Sequence, residues 1–462
     1  MQVLSGLDAS FLYLETTSQP LHVCALLTLD GSTIPGGYRF DDFVGNLDQR
    51  VRLIPEFRRK LHNSPLNLVH PVWVEDAGFD IGHHVHRVGL PSPRGRDELA
   101  RLCARFAARP LDRRRPLWEI CVIEGLPGDD AFAVLIKMHH AAVDGVGGAS
   151  LIAYLAGVEP AALPPPPEPR ESAPPPSHVD LLKASAADLL HRPGELVRLL
   201  PGLLGVGSRW LSSALHRRGM PMPFTAPRTS LNGTITGHRS VAFTSVDLDD
   251  VKQVKNAFGV TVNDVVLALC TGALRSFLEA RGELPDDPLV VTVPVSVHDR
   301  SVRESGSNHV SAFFALLPTH LAEPVARVYA IAENNRLAKQ HHFSIDADML
   351  ADWAEFAPAR LLGLAMRAYS ALRLADKHPV VHNLVISNVP GPPVPLYLLG
   401  ARITGMYPLG PVFHGAGLNI TVISSDGRVD VGLIGARELV PDLWSLADAV
   451  PDEMQQLLKA TG

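Results

Sequence analysis

The sequence predicts an α/β protein of two domains, and three observations carry that prediction. The chain has 462 residues, too many for one ordinary hydrophobic core. Short apolar, β-branched runs alternate with longer runs of helical spacing on both sides of its middle. Between the halves lies EPAALPPPPEPRESAPPPS, residues 159–177, a proline-rich stretch too poor in apolar residues to build a core. These place a first domain at 1–157, a linker and helical connector at 158–224, and a second domain at 225–462.

The elements follow in order. HVCALLTLDG (22–31) reads as a strand entering a turn. Residues 40–61 have helical spacing broken near Pro55, and 98–112 form a second helix stopped at Pro110. PLWEICVIEGL (116–126) and DAFAVLIKMHH (130–140) are apolar runs separated by the turn signal PGDD, so both are strands. ASLIAYLAGV (149–158) reads as a helix. The connector at 180–218 alternates leucines with basic residues. It suits a helical segment packed on the body or, alternatively, an amphipathic surface that touches lipid. In the second half, 239–248 is a strand and 250–259 a helix ended by glycine. Residues 261–282 form a longer helix. LVVTVPVSV (289–297) is a strand in which Pro294 suggests an edge or bulge. Residues 308–318 and 381–393 add strands, and 417–436 form a hairpin turning at Asp426-Gly427. A helix at 441–461 closes the chain, and the leucine-rich 359–374 reads as an ordinary core helix.

Composition narrows the function. Hydrophobic residues make up 46% and charged residues 19%, as in a folded soluble chain, and mean hydropathy is +0.11. The net charge of −6 and the lack of any recognisable motif argue against a nucleic-acid partner. Cys24, Cys103, Cys121 and Cys270 make no C-x-x-C pair, so neither a disulfide framework nor a zinc ribbon is indicated and a reducing cytoplasm fits. The N-terminus lacks a basic region followed by an apolar one, and no apolar run reaches membrane-spanning length.

The chemistry concentrates in MHHAAVDGVGG, residues 138–148. His139 and His140 end a buried-type strand, Asp144 follows after three residues, and Gly145, Gly147 and Gly148 permit a sharp reversal. With 20 histidines, roughly one His-x-x-x-Asp arises by chance. HHFSID (341–346) is such a match. His342 follows a polar helical run and Ala347, not glycine, follows Asp346, so 138–148 is the better candidate. Histidine is the commonest general base near neutral pH. No G-x-S-x-G elbow offers a nucleophile, so direct transfer is simpler than a covalent intermediate. The cluster His83-His84-Val85-His86 lacks supporting carboxylates and reads as surface or interface histidine; His378 and His382 likewise lack co-ligands, and no metal is expected.

HHAAVDG resembles the HHxxxDG signature of the chloramphenicol-acetyltransferase-like superfamily. LDASFLYLE near the start, RPLWE at 115–119, TVNDVVLA at 261–268, VPVSV at 293–297, SNVPGP at 387–392 and the block at 407–427 run in family order along nearly the whole chain. Together they resemble the bacterial wax ester synthase/diacylglycerol acyltransferase family, most closely its triacylglycerol-synthase branch. The resemblance implies two chloramphenicol-acetyltransferase-like domains, each a mixed β-sheet flanked by helices, with an active-site tunnel at their interface. It implies transfer of an acyl group from long-chain acyl-CoA, a co-substrate rather than a cofactor, to diacylglycerol or a long-chain alcohol. His140 would be the general base, His139 and Asp144 would support and orient it, and Gly145 would shape the turn. Asn263, Asp264, Ser387 and Asn388 would contribute to substrate binding, and Pro116–Trp118 to the scaffold. The implied setting is cytoplasmic, with peripheral contact at the inner membrane face or lipid droplets. Alternatives are a condensation-domain-like enzyme using a carrier-bound or complex lipid substrate, a non-catalytic lipid-binding protein of the same fold, and a hydrolase.

Overall fold

A computed structural model describes residues 2–63, 70–142, 155–160, 224–296, 310–340 and 359–461. Asp144, Gly145, the connector at 180–218 and the second histidine pair with Asp346 lie outside the described residues.

The first half runs β1 (Gln2–Val3), α1 (Gly6–Leu14), β2 (His22–Asp30), α2 (Phe40–Leu53), α3 (Pro55–Arg58), β3 (Arg59–His62), β4 (Val72–Glu75), β5 (Val85–Gly89), α4 (Arg96–Ala108), β6 (Trp118–Glu124), β7 (Ala131–His139) and β8 (Ala156–Gly157). The second half runs β9 (Arg239–Asp247), α5 (Leu248–Phe258), α6 (Val262–Glu279), β10 (Leu289–Ser296), β11 (Val310–Leu317), α7 (Pro324–Gln340), α8 (Ala359–Ala371), β12 (Leu384–Pro390), β13 (Tyr397–Leu398), β14 (Ala401–Leu409), β15 (Leu418–Ser425), β16 (Arg428–Ala436) and α9 (Leu443–Lys459).

Two mixed sheets organise these elements, as the sequence predicts. Among the described residues one has seven strands in the order β5-β6-β7-β2-β14-β13-β8, with β5 parallel to β6 and the other pairings antiparallel. The other has six, β11-β10-β12-β15-β16-β9, with β10, β12 and β15 parallel. A small sheet β1-β4-β3 stands beside them. The second half is not confined to its own sheet. β13 and β14 cross the boundary at residue 225 and complete the first sheet, β14 pairing with β2 from Arg402↔Asp30 to Leu409↔Cys24. The core of the second sheet is closed by α6, whose Val265 to Leu274 segment is buried, and by α9. Apolar alternation drives this burial, at roughly 1.5–3 kcal/mol per fully buried aliphatic side chain.

Several elements differ from the sequence reading. β10 is not an edge strand: it lies between β11 and β12. Pro294 is tolerated because β12 pairs only with Val291 and Thr292, so no ladder donor is needed on that side of residue 294. The helix expected over 40–61 ends at Leu53, and 59–62 turn into β3. The end of the stretch read as a helix at 149–158 is β8. The hairpin turn at Asp426-Gly427 is as expected, with φ of 45° and 76°. Among the described residues no single helix is long and apolar enough to cross a membrane.

Candidate active site

β7 is buried along nearly its whole length, and its register places the histidine pair. His139 is its last residue and sits opposite His22 of β2. The His139 N–H donates to the Leu117 carbonyl (2.9 Å), and the His140 N–H to the Leu21 carbonyl (2.9 Å). His140 opens a 3₁₀ turn, His140–Ala142. The PLW segment is scaffold, as read from sequence. Trp118 is buried, donates from Nε1 to the Phe57 carbonyl (2.7 Å), and stacks on His84 at 4.4 Å between ring centroids. His84 is therefore a core residue, not a surface histidine; its Nδ1 lies 2.8 Å from the Trp118 carbonyl. The apolar Trp118 face explains why the chain buries an imidazole there.

The two histidines differ. His139 is 1% exposed, and its Nδ1 accepts from the Ala141 N–H (3.0 Å). Nδ1 is thereby the acceptor, and Nε2 is the ring nitrogen turned to Glu15, 3.5 Å from its Oε2. Glu15 ends α1 and gathers three groups: His139, His22 Nε2 at 3.1 Å from Oε1, and Arg113 Nη2 at 2.5 Å from Oε2. Burial pushes the Glu15 carboxyl up. The imidazoles of His139 and His22 close beside it outweigh burial, and the group stands well below the usual carboxylate range. Burial holds the His22 pKa below its usual value, with Glu15 opposing. Two residues before His139, the buried Lys137 pairs with Glu119 at 2.9 Å and donates to the Phe106 and Arg109 carbonyls.

His140 is enclosed but keeps part of its surface accessible. The Phe11 ring of α1 stacks on it, with centroids 4.0 Å apart and planes inclined 23°. Its Nδ1 is buried with no hydrogen-bond partner among the described residues. Burial lowers its pKa to about 4; His139 adds to the effect, and its own backbone carbonyl opposes it. The ring is therefore neutral at pH 7 and free to accept a proton. Once protonated, the buried imidazolium is a stronger acid than a free one and gives its proton up readily.

The remaining site residues fall into two groups. Asn388 on β12 donates from Nδ2 to Asn263 Oδ1 at the start of α6 (3.1 Å), so the structure brings two of the candidate residues together. Ser387 precedes it on the same strand, half-buried. Asp264 is structural. The helix cap is Thr261, and Asp264 Oδ2 accepts from the Thr261 N–H (2.9 Å) and hydroxyl (2.7 Å) while Oδ1 accepts from Asn335 (2.7 Å). Both carboxylate oxygens are thus committed within the protein. Glu15 is the functional residue that sequence reasoning missed: it lies within LDASFLYLE, but only the fold brings it to the histidines. Among the described residues no group of three or more His, Cys, Asp or Glu side chains is arranged to hold a metal ion.

Two mixed sheets, the first completed by β13 and β14 from the second half of the chain, carry an enclosed histidine pair at the end of β7. The first condensation domain of the CDA synthetase superposes with a TM-score of 0.55 at 14% identity, covering 100% of this chain and 97% of that one, a likeness of fold alone. The family model for the wax ester synthase/diacylglycerol acyltransferase catalytic domain matches residues 4–266, and that for the family's C-terminal domain matches 306–458. The chain belongs to this family and is an acyltransferase. A putative diacylglycerol O-acyltransferase of Mycobacterium tuberculosis is 46% identical over 461 residues, covering 100% of this chain and 91% of the relative. A probable diacylglycerol O-acyltransferase of the same organism is 35% identical over 474 residues, covering 100% of both. The solved wax ester synthase/diacylglycerol acyltransferase of Marinobacter aquaeolei VT8 superposes with a TM-score of 0.70 at 31% identity, covering 100% of both chains.

Proposed function

We propose that this acyltransferase moves the acyl group of a long-chain acyl-CoA directly to the free hydroxyl of diacylglycerol, giving triacylglycerol and CoA, with long-chain alcohols as a second class of acceptor. The observation that carries this reading is the enclosed His140 imidazole, stacked on Phe11 with its Nδ1 unpartnered among the described residues, beside a His139 that faces Glu15. His140 takes the hydroxyl proton as the acceptor oxygen attacks the thioester carbon. The tetrahedral intermediate collapses, the C–S bond breaks, and the imidazolium returns the proton to the departing thiolate. His139 positions the loop, with Asp144 and Gly145 in support. The Asn263–Asn388 pair supplies amide groups for substrate or for the developing oxyanion. Acyl-CoA is spent as a co-substrate, and no cofactor or metal is required. The working place is the cytoplasmic face of a membrane or lipid droplet, where the acceptor resides.

The test is CoA release by purified protein from palmitoyl-CoA with diacylglycerol, with hexadecanol, or with no acceptor, together with analysis of the lipid product. Acceptor-dependent release with ester formed is the expected result. Release without acceptor would identify a thioesterase instead, and no release from any mixture would favour a carrier-bound donor or a binding role.

A further inference from the structure

The strap between α1 and β2, residues 15–21, fixes the surroundings of His140. Leu21, at one end, accepts the His140 N–H at its carbonyl (2.9 Å) and donates its own N–H to Glu15 Oε1 (3.3 Å). Glu15, at the other end, is the carboxylate that His139, His22 and Arg113 share. A shift of this strap therefore shifts both the backbone that anchors His140 and the carboxylate that faces its neighbour.

The groups that hold the strap come from the second half of the chain. Gln19 is buried; its Oε1 accepts from the His414 N–H (2.9 Å), and its Nε2 donates to the Leu14 carbonyl at the end of α1 (3.3 Å). His414, between β14 and β15, accepts from the Ile235 N–H at Nδ1 (3.2 Å), which leaves Nε2 to face Ser18 Oγ (3.1 Å). Arg239, the first residue of β9, donates from Nη2 to the Ser18 carbonyl (2.8 Å). Its Nη1 donates to the carbonyls of Thr236 (2.5 Å) and His238 (3.0 Å), so one guanidinium ties backbone of the two halves together. Arg239 is 6% exposed, and among the described residues it makes no ion pair. A guanidinium buried against carbonyls alone is dearer to desolvate than an apolar side chain of its size, so what it supplies is direction rather than stability. A Cβ on Gly237 would stand 2.9 Å from the Thr17 carbonyl oxygen, so glycine lets the two backbones approach this closely.

We propose that Gln19, Arg239 and His414 form a clasp through which the second half of the chain positions His140, so that the active histidine of the first half is correctly set only while the clasp is closed. They are positioning residues, acting through Leu21 and Glu15. That the imidazole so placed is the base of acyl transfer rests on the function proposed above; the clasp itself is read without turnover.

The experiment combines amide hydrogen exchange, followed by mass spectrometry, with steady-state kinetics on palmitoyl-CoA and hexadecanol. It uses full-length wild type, Arg239→Met, Arg239→Lys and Gly237→Ala. In Arg239→Met, peptides spanning 15–22 and 138–142 exchange about tenfold faster, while those of α9 exchange as in the wild type. The same variant loses about tenfold or more in kcat, with KM for either substrate within about twofold of wild type. Arg239→Lys keeps a cation and a donor for the Ser18 carbonyl and recovers most of the loss. Gly237→Ala pushes on Thr17 without removing any donor, and lowers kcat by about fivefold with the same local rise in exchange. Faster exchange at 15–22 that leaves 138–142 unchanged would overturn the proposal. So would exchange raised throughout the chain, a change in KM alone, or an Arg239→Lys variant as impaired as Arg239→Met, each of which marks a contact that only supports the fold. Full activity in His140→Ala, with the exchange pattern as expected, would count against the proposed function and leave the clasp standing.

Discussion

Phe11→Ala tests the stacking that encloses His140. In the native site the Phe11 ring covers one face of the imidazole at 4.0 Å, and burial holds the His140 pKa at about 4 against an ordinary 6.5. Removing the ring admits water to that face, so the charged form is penalised less and the pKa rises. The ceiling is the ordinary value of 6.5, and one face of two predicts a rise of about one unit, equivalent to about 1.4 kcal/mol. The ring also fixes the orientation of the base, and its loss lowers kcat at pH 7 by about tenfold or more. Since Phe11 is only partly buried, the fold loses less than the roughly 3–5 kcal/mol of a core Phe→Ala. The assay is the pH dependence of acceptor-dependent CoA release. The acid limb of kcat/KM moves to higher pH in Phe11→Ala and less in Phe11→Leu. An unmoved limb, with activity reduced by the same factor at every pH, would refute the claim that the stack sets the protonation of the base.

Other predictions follow from the same geometry. Glu15→Gln leaves His139, His22 and Arg113 around a neutral amide; stability falls by about 2–3 kcal/mol in urea unfolding, with a larger relative loss of kcat than of KM. Burial depresses both His140 and His382 to about 4, so each is neutral in the folded chain where the unfolded chain is charged. Stability is therefore full above pH 6.5 and is lost as pH falls from 6.5 toward 4, by at most about 3 kcal/mol per group; denaturant midpoints at pH 7 and pH 5 measure it, and His382→Gln reduces the slope. Asp264→Ala removes a capping box and the Asn335 partner and costs about 1–3 kcal/mol of stability, whereas Asn388→Ala leaves the melting temperature near wild type and lowers kcat.

The strand leading to His140 is legible in sequence because a largely apolar run, a turn signal before it and glycines after it agree with one another. The Asp426-Gly427 turn is legible because its physics is local. Three features are not. β14 contains Gly405 and Pro408, which weaken its strand signal, and its partner β2 lies far away in the chain, so nothing local announces the crossover. Leucine content shows that 359–374 is apolar but not which residues it buries; Leu364 and Leu372 stand exposed while Tyr369 and Ser370 meet His378, His414 and Ser18, which the fold brings from elsewhere. Glu15 becomes a partner of His139 only through the docking of α1 over the end of β7.

The central claim is that His140 is the base of a direct acyl transfer. The most direct measurement is triacylglycerol formed in a single turnover by wild type, His140→Ala and His342→Ala, each shown to be folded. We predict a loss of about 10²–10⁴-fold in His140→Ala and wild-type product in His342→Ala. Undiminished product from His140→Ala, or loss in His342→Ala instead, would contradict the account.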